Sequence, residues 1–259
     1  MAYQSRTVLA AAIAVSVFLL LVARQPWTID PGTMEVFFGV FGMIYAIVVG
    51  FVILVLLENY NALKVHIWEE VNALQDLRDC LVYVDDQPES VLAVRGATKR
   101  YVESVLDEEW KEMSGTGPAD LDTSPQLYCM MKNVHKVQVA NQSDAVALGK
   151  LIDTIGEITT HRTNRLAACR ERLPFLLMFY INVLSVLVVF LFSLLAIESL
   201  AARVLLNGVN LFAVGFMYLV IWDLNHPFQG FWSIDDGPYR SLIARIEAVD
   251  ETDSCGDSC

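Results

Sequence analysis

The sequence is short of positive charge. Its 259 residues hold 18 Lys and Arg against 30 Asp and Glu, for a formal charge of -12 and a pI of about 4.7. Binding nucleic acid needs a Lys/Arg surface that neutralises phosphates, so that class is excluded. Cysteine is sparse too. Cys80, Cys129, Cys169, Cys255 and Cys259 are odd in number and widely spaced, which argues against a disulfide scaffold. The terminal CGDSC sets two thiols four apart without histidine partners, and reads as part of an acidic tail. His66, His135 and His161 are too scattered along the chain for a metal set, and no Ser or Cys pairs with a His at a recognisable spacing. Nothing assembles a nucleophile, a base and a stabiliser, so an enzyme is not expected. Strand-like alternation and internal repeats are missing as well.

Apolar residues, by contrast, make up 55% of the chain, with mean hydropathy +0.45. Four runs carry most of them: Thr7–Ala23, Met34–Leu57, Pro174–Ile197 and Val204–Trp222. Glu35, at the edge of the second, is the only formal charge in any of them. A bilayer core takes about 20 apolar residues as a helix, the form in which backbone groups satisfy one another in lipid. The first run, preceded by Arg6, has the outline of a signal peptide. No convincing small-residue cleavage site follows it, however, so it is expected to remain as a span. The expected fold is an all-α integral membrane protein with four transmembrane helices. Residues 1–58 hold the first two, 59–173 a helical cytoplasmic insert, 174–222 the last two, and 223–259 a cytoplasmic motif and acidic tail. Of the 18 basic residues, 16 fall before the first run, between the second and third, or after the fourth. The positive-inside rule then puts both termini and the insert in the cytoplasm, at the cell (inner) membrane.

Within the insert a seven-residue repeat begins at Tyr60. Tyr60, Ile67, Leu74 and Leu81 form one row, and Leu63, Leu77 and Val84 a second that Glu70 interrupts. No Gly or Pro separates this pattern from the second apolar run, so one long helix is predicted to leave the membrane and continue to Asp85, Asp86 and Pro88. Further helices are predicted over about 89–113, 126–137 and from near Asp144 into Pro174, with 114–125 as a loop.

Three stretches carry a resemblance: Tyr101–Met113, Leu151–Tyr180 and Val220–Asp235. With the four-span layout they resemble the bestrophin-like membrane family, which is distantly similar to bestrophin chloride channels. The most specific element is Asp223, Pro227, Phe228 and Gly230 after the last apolar run, with His226 before the proline. Asn225, Pro227, Phe228 and Gly230 follow the order of the Asn-Pro-Phe-Gly stretch in bestrophins, with inserted residues. The resemblance implies a pentameric homo-oligomer around a central anion pore lined by the second span. Calcium, which bestrophins hold with an acidic run, would fall here to Asp235 and Asp236 alone. A turn at DDGP explains that pair as well.

The second run has two faces. Gly39, Gly42, Ala46 and Gly50 form a small-residue stripe suited to close helix packing. Phe37, Phe41, Ile44, Val48 and Val55 form an apolar row, which would meet lipid or a neighbouring helix, or line a pore as a hydrophobic constriction. Arg162, Arg165 and Arg172 either snorkel to lipid headgroups or attract anions to a cytoplasmic mouth. Asp107, Glu108 and Glu109 read as a solvated helix face, and Asn182, Asn207 and Asn210 as interhelical hydrogen-bonding groups. Glu35 complements a helix N-terminus or, as a ring, favours cations. Three functions follow: an anion (chloride) channel, a non-conducting scaffold whose insert binds a partner with Glu70 setting partner choice, or a cation channel.

Overall fold

The structure is a computed structural model that describes residues 31–84, 87–115, 124–193 and 199–255. The first apolar run, Thr7–Ala23, lies outside the described residues, as do Asp85, Asp86 and the last four residues of the tail. Every regular element among the described residues is helical: α1 (Pro31–Cys80), α2 (Pro88–Ser104), α3 (Trp110–Ser114), α4 (Pro125–His135), α5 (Gln142–Arg170), α6 (Phe175–Ser193), α7 (Leu200–Leu224) and α8 (Gly237–Cys255). A 3-10 turn, Leu81–Tyr83, closes α1, and a π turn, Val105–Glu109, joins α2 to α3. Three described helices are long and apolar enough to cross a membrane, within Glu35–Tyr83, Phe175–Ser193 and Leu200–Leu224.

α1 is one unbroken helix of 50 residues, as the missing Gly and Pro predicted. At 1.5 Å per residue it is about 75 Å long, more than twice the roughly 30 Å of a hydrocarbon core. The chain divides into two compact units, Met1–Glu58 with Arg172–His226 and Asn59–Glu171 with Pro227–Cys259.

In the first unit, α1 meets α6 through Phe38 against Phe192, edge to face at 5.7 Å, and through the Tyr45 hydroxyl and Ser185 Oγ at 3.1 Å. Val49, Val52 and Leu56 bury the same side of α1. Large apolar side chains stay exposed along all three helices, Phe51, Phe175 and Phe212 among them, where water would be the wrong solvent. Asn182 and Asn207 depart from expectation. Each donates to the carbonyl four residues back in its own helix, at 2.9 and 3.0 Å, which places an amide N–H without a second helix. Asn210 Nδ2 has no partner among the described residues.

The second unit has the true core. Leu63, Ile67, Leu74, Leu77, Leu81 and Val84 of the seven-residue repeat are all buried in it. They pack with Val94, Tyr101, Val102 and Val105 from α2 and its π turn, Met130 and Val134 from α4, and Leu151, Ile155 and Ile158 from α5. Local signals set the helix starts. Ser124 accepts from the Leu127 amide at 3.2 Å with Pro125 behind it. Asn141 and Asp144 form a reciprocal capping box, with bonds of 2.7 and 3.2 Å. The region after α7 differs from the expected acidic tail. Phe228, Ile234, Tyr239, Leu242 and Ile246 join the core, and Gly237–Cys255 is helical. Tyr239, Leu242, Ile243 and Ile246 have the spacing of an amphipathic helix, so the signal was present in the sequence.

Asn141→Ala removes the acceptor that holds the Asp144 amide. It is expected to cost about 1 kcal/mol, read as a lowered thermal midpoint of the purified protein with the helix content at low temperature unchanged.

Candidate functional site

Two arginines expected at the membrane edge sit in the core of the second unit. Along α5 the buried residues Leu151, Ile155, Ile158, Arg162, Arg165 and Cys169 follow alternating steps of four and three. Arg162 and Arg165 therefore occupy core positions of an apolar stripe, and packing forces them inward. Arg165 is fully buried, as is Glu70 on α1, and Glu109 is nearly so. Arg165 Nε donates to Glu70 Oε2 at 2.7 Å, and its Nη2 donates to Glu109 Oε2 at 2.6 Å. Arg162 Nε donates to Glu109 Oε1 at 2.9 Å. The Tyr101 hydroxyl donates to Glu70 Oε1 at 2.7 Å, and the Arg165 guanidinium lies 5.8 Å from the Tyr239 ring. Two carboxylates and two guanidiniums thus cancel in charge.

Burial works against the charge on Arg165, but Glu70, Tyr239 and Glu109 hold its pKa well above the ordinary value. Burial, then the Glu70 carboxylate, pushes the Tyr101 hydroxyl well up, so it stays a donor. Arg162 and Arg165 consequently face neither headgroups nor an anion mouth. Glu109 is a core residue and not part of a solvated face. Glu70 is not free to choose a partner. Arg172 alone of the three is exposed, and its guanidinium donates to the Asn225 carbonyl within the first unit.

The motif after α7 is structurally busy. In the first unit Asp223 and Asn225 are buried, and Asn225 Oδ1 accepts from the Leu173 amide at 2.9 Å. His226 stacks on Trp222 at 4.5 Å with Nδ1 2.8 Å from the Trp222 carbonyl. Burial, with Arg172 adding to it, lowers the His226 pKa. In the second unit the Pro227 carbonyl accepts from the Ile234 amide at 2.8 Å, and Phe228 packs edge to face on Trp110 at 5.2 Å. Gln229 Nε2 donates to the Ser114 carbonyl at 2.6 Å. Gly230 takes φ 110°, a conformation that a side chain would strain. The motif residues therefore hold a turn in place.

Asp235 and Asp236 do not make a free acidic pair. Arg240 Nε and Nη2 each donate to Asp236 at 2.7 Å and hold its carboxyl below the usual range. A calcium ion there would have to displace a bidentate guanidinium.

On α1 the apolar row and the small stripe lie on either side of the strip that meets α6. At about 100° per residue, Phe37, Phe41, Ile44, Val48 and Val55 fall within a strip of roughly 60°. Phe37 and Ile44 are 51% and 45% exposed, and the Phe37 and Phe41 rings stack at 6.0 Å. On the other side, a Cβ built on Gly39, Gly42 or Gly50 meets nothing within 4 Å. Phe41, Val48 and Val55 are half-buried, so among the described residues the apolar row is only partly covered and the small stripe is uncovered.

Residues 5–239 match the Bestrophin-like domain. The chain belongs to the bestrophin-like family. No curated protein and no solved structure matches it.

Arg165→Leu leaves Glu70 buried without its cation and should lower stability by roughly 3–5 kcal/mol. The pair Glu70→Leu with Arg165→Met keeps Glu109 on Arg162 and should recover part of that loss, with both measured by thermal unfolding in detergent. Gly230→Ala should cost roughly 1–3 kcal/mol in the same assay.

Proposed function

We propose that the protein is an oligomeric, anion-selective channel, pentameric by analogy with its family, with the membrane half of α1 lining the axis. The observation that carries this reading is the apolar row on α1, exposed at Phe37 and Ile44, in a chain of the bestrophin-like family. Rings of Phe37, Phe41, Ile44, Val48 and Val55 around an axis would narrow a pore and gate it by dewetting. The small stripe of Gly39, Gly42, Ala46 and Gly50 would let a neighbouring helix approach closely. The proposed topology has four spans, with the first in Thr7–Ala23 and both termini and the insert in the cytoplasm of the cell membrane. Lipid, further copies of the chain and inorganic anions are its partners.

The burial of Arg162 and Arg165 takes them out of any anion funnel, and leaves Arg172 as the exposed member of the three. The scaffold reading loses Glu70 for the same reason. A cation channel still has Glu35, which is exposed near the start of α1.

Purified protein in liposomes should carry chloride, with a reversal potential in asymmetric salt that follows the anion. Ile44→Ser should wet the constriction and raise flux at unchanged oligomer size. A strictly monomeric particle, or no chloride current under any condition, rejects the channel, and a reversal potential that follows the cation selects the Glu35 reading. Cys129 is exposed in the second unit. In a variant retaining only this cysteine, an impermeant maleimide should modify it only from the cytoplasmic side of spheroplasts, and labelling of intact ones would invert the topology.

A further inference from the structure

Folding brings together two histidines that the sequence keeps 95 positions apart. His66 and Glu69 stand one helical turn apart on α1, and so share a face. His161 reaches the same point from α5. His66 Nδ1 lies 3.4 Å and His161 Nδ1 3.1 Å from one and the same atom, Glu69 Oε2. The two imidazole rings are 6.3 Å apart between centroids. One ligand atom from each of the three residues falls within 4.8 Å of the others. All three residues belong to the second unit.

The two Nδ1 atoms are buried, yet neither has a hydrogen-bond partner, although both crowd the same carboxylate oxygen. Two ring nitrogens and one carboxylate oxygen, all capable of ligating a metal, converge on one point. Leaving two buried ring nitrogens unsatisfied is costly, and a shared cation would satisfy both at once. The two histidine–carboxylate spacings, 3.4 and 3.1 Å, match those of such an ion. With zinc–nitrogen and zinc–oxygen bonds of about 2.0–2.1 Å, tetrahedral ligands stand about 3.3 Å apart. The side chains are 23–45% exposed, so a fourth position is open to water. The donor set also selects the metal. Two imidazoles and one carboxylate suit zinc and similar borderline transition ions, whereas calcium and magnesium require oxygen ligands.

We propose that His66, Glu69 and His161 form a site for a divalent transition metal of the zinc class, which clamps α1 to α5 and keeps one coordination position for water. Its place on the continuation of α1 makes the metal a candidate effector of whatever that helix does in the membrane. The site itself stands without the channel reading.

The test is calorimetric titration of the purified full-length protein in detergent with zinc, alongside cobalt absorption spectra. The expected result is one ion per chain, a cobalt spectrum of nitrogen and oxygen ligation without thiolate bands, and a thermal midpoint that rises with metal. Loss of a group that merely orients a ligand weakens metal binding about 10–100-fold, so His66→Ala and His161→Ala should each weaken it at least about tenfold. Each should also abolish the thermal shift, with the metal-free midpoint held. Should either alanine variant fold poorly, His161→Gln serves in its place. The Cys255→Ser/Cys259→Ser variant should bind as the wild type does. No binding at millimolar zinc, undiminished binding in the histidine variants, or loss of binding in the cysteine variant would each overturn the proposal.

Discussion

The buried guanidinium of Arg165 constrains the second unit more than any other group. A charge taken from water into a core is tolerated only where opposite charges and hydrogen bonds replace the lost solvation. Here Glu70 on α1 and Glu109 at the end of the π turn supply them, with Arg162 balancing the second carboxylate. Apolar heptad rows by themselves tolerate a slip of seven residues. Such a slip of α5 would bring Ile158 and Ile155 to the places of Arg165 and Arg162, and leave two carboxylates buried without counter-charge. The quartet therefore penalises the wrong register far more than leucine packing can. Tyr101 and Tyr239 extend the same constraint to α2 and α8.

α1 passes through both compact units without a break and meets two kinds of surroundings. From Val36 to Leu57 its uncovered side chains are apolar, and suited to lipid or to other helices. From Asn59 onward its buried residues follow the heptad repeat around Glu70. Both patterns lie on one unbroken helix. His66 and Glu69, which His161 joins from α5, lie on that later stretch just before Glu70. The turn from Asp223 to Gly230 anchors the chain where it leaves α7: Asn225 and Arg172 tie it within the first unit, and Phe228 and Gln229 tie it within the second.

Family membership and the helical character of the three described apolar stretches were legible in the sequence, as were α1 as one helix and the heptad rows in the core. The capped helix starts lie within a few residues of expectation. The errors share a cause. Charge by itself suggests a headgroup anchor, a solvated face or a partner selector, whereas Glu70, Glu109, Arg162 and Arg165 stand at apolar positions of their helical stripes. Following the stripe through the charge, instead of treating the charge as an interruption, would have placed all four inside. The amphipathic spacing of α8 was hidden in the same way, by the acidic residues around it.

The sequence by itself determined which segments are helical, which are too apolar for water, and which face of each helix is buried, because these depend on local propensity and on the 3.6-residue period. It could not determine which charge meets which, or that His161 would join His66 and Glu69. Those pairings join helices distant in the chain, and their register is set only when the core closes and every buried charge must find its counterpart.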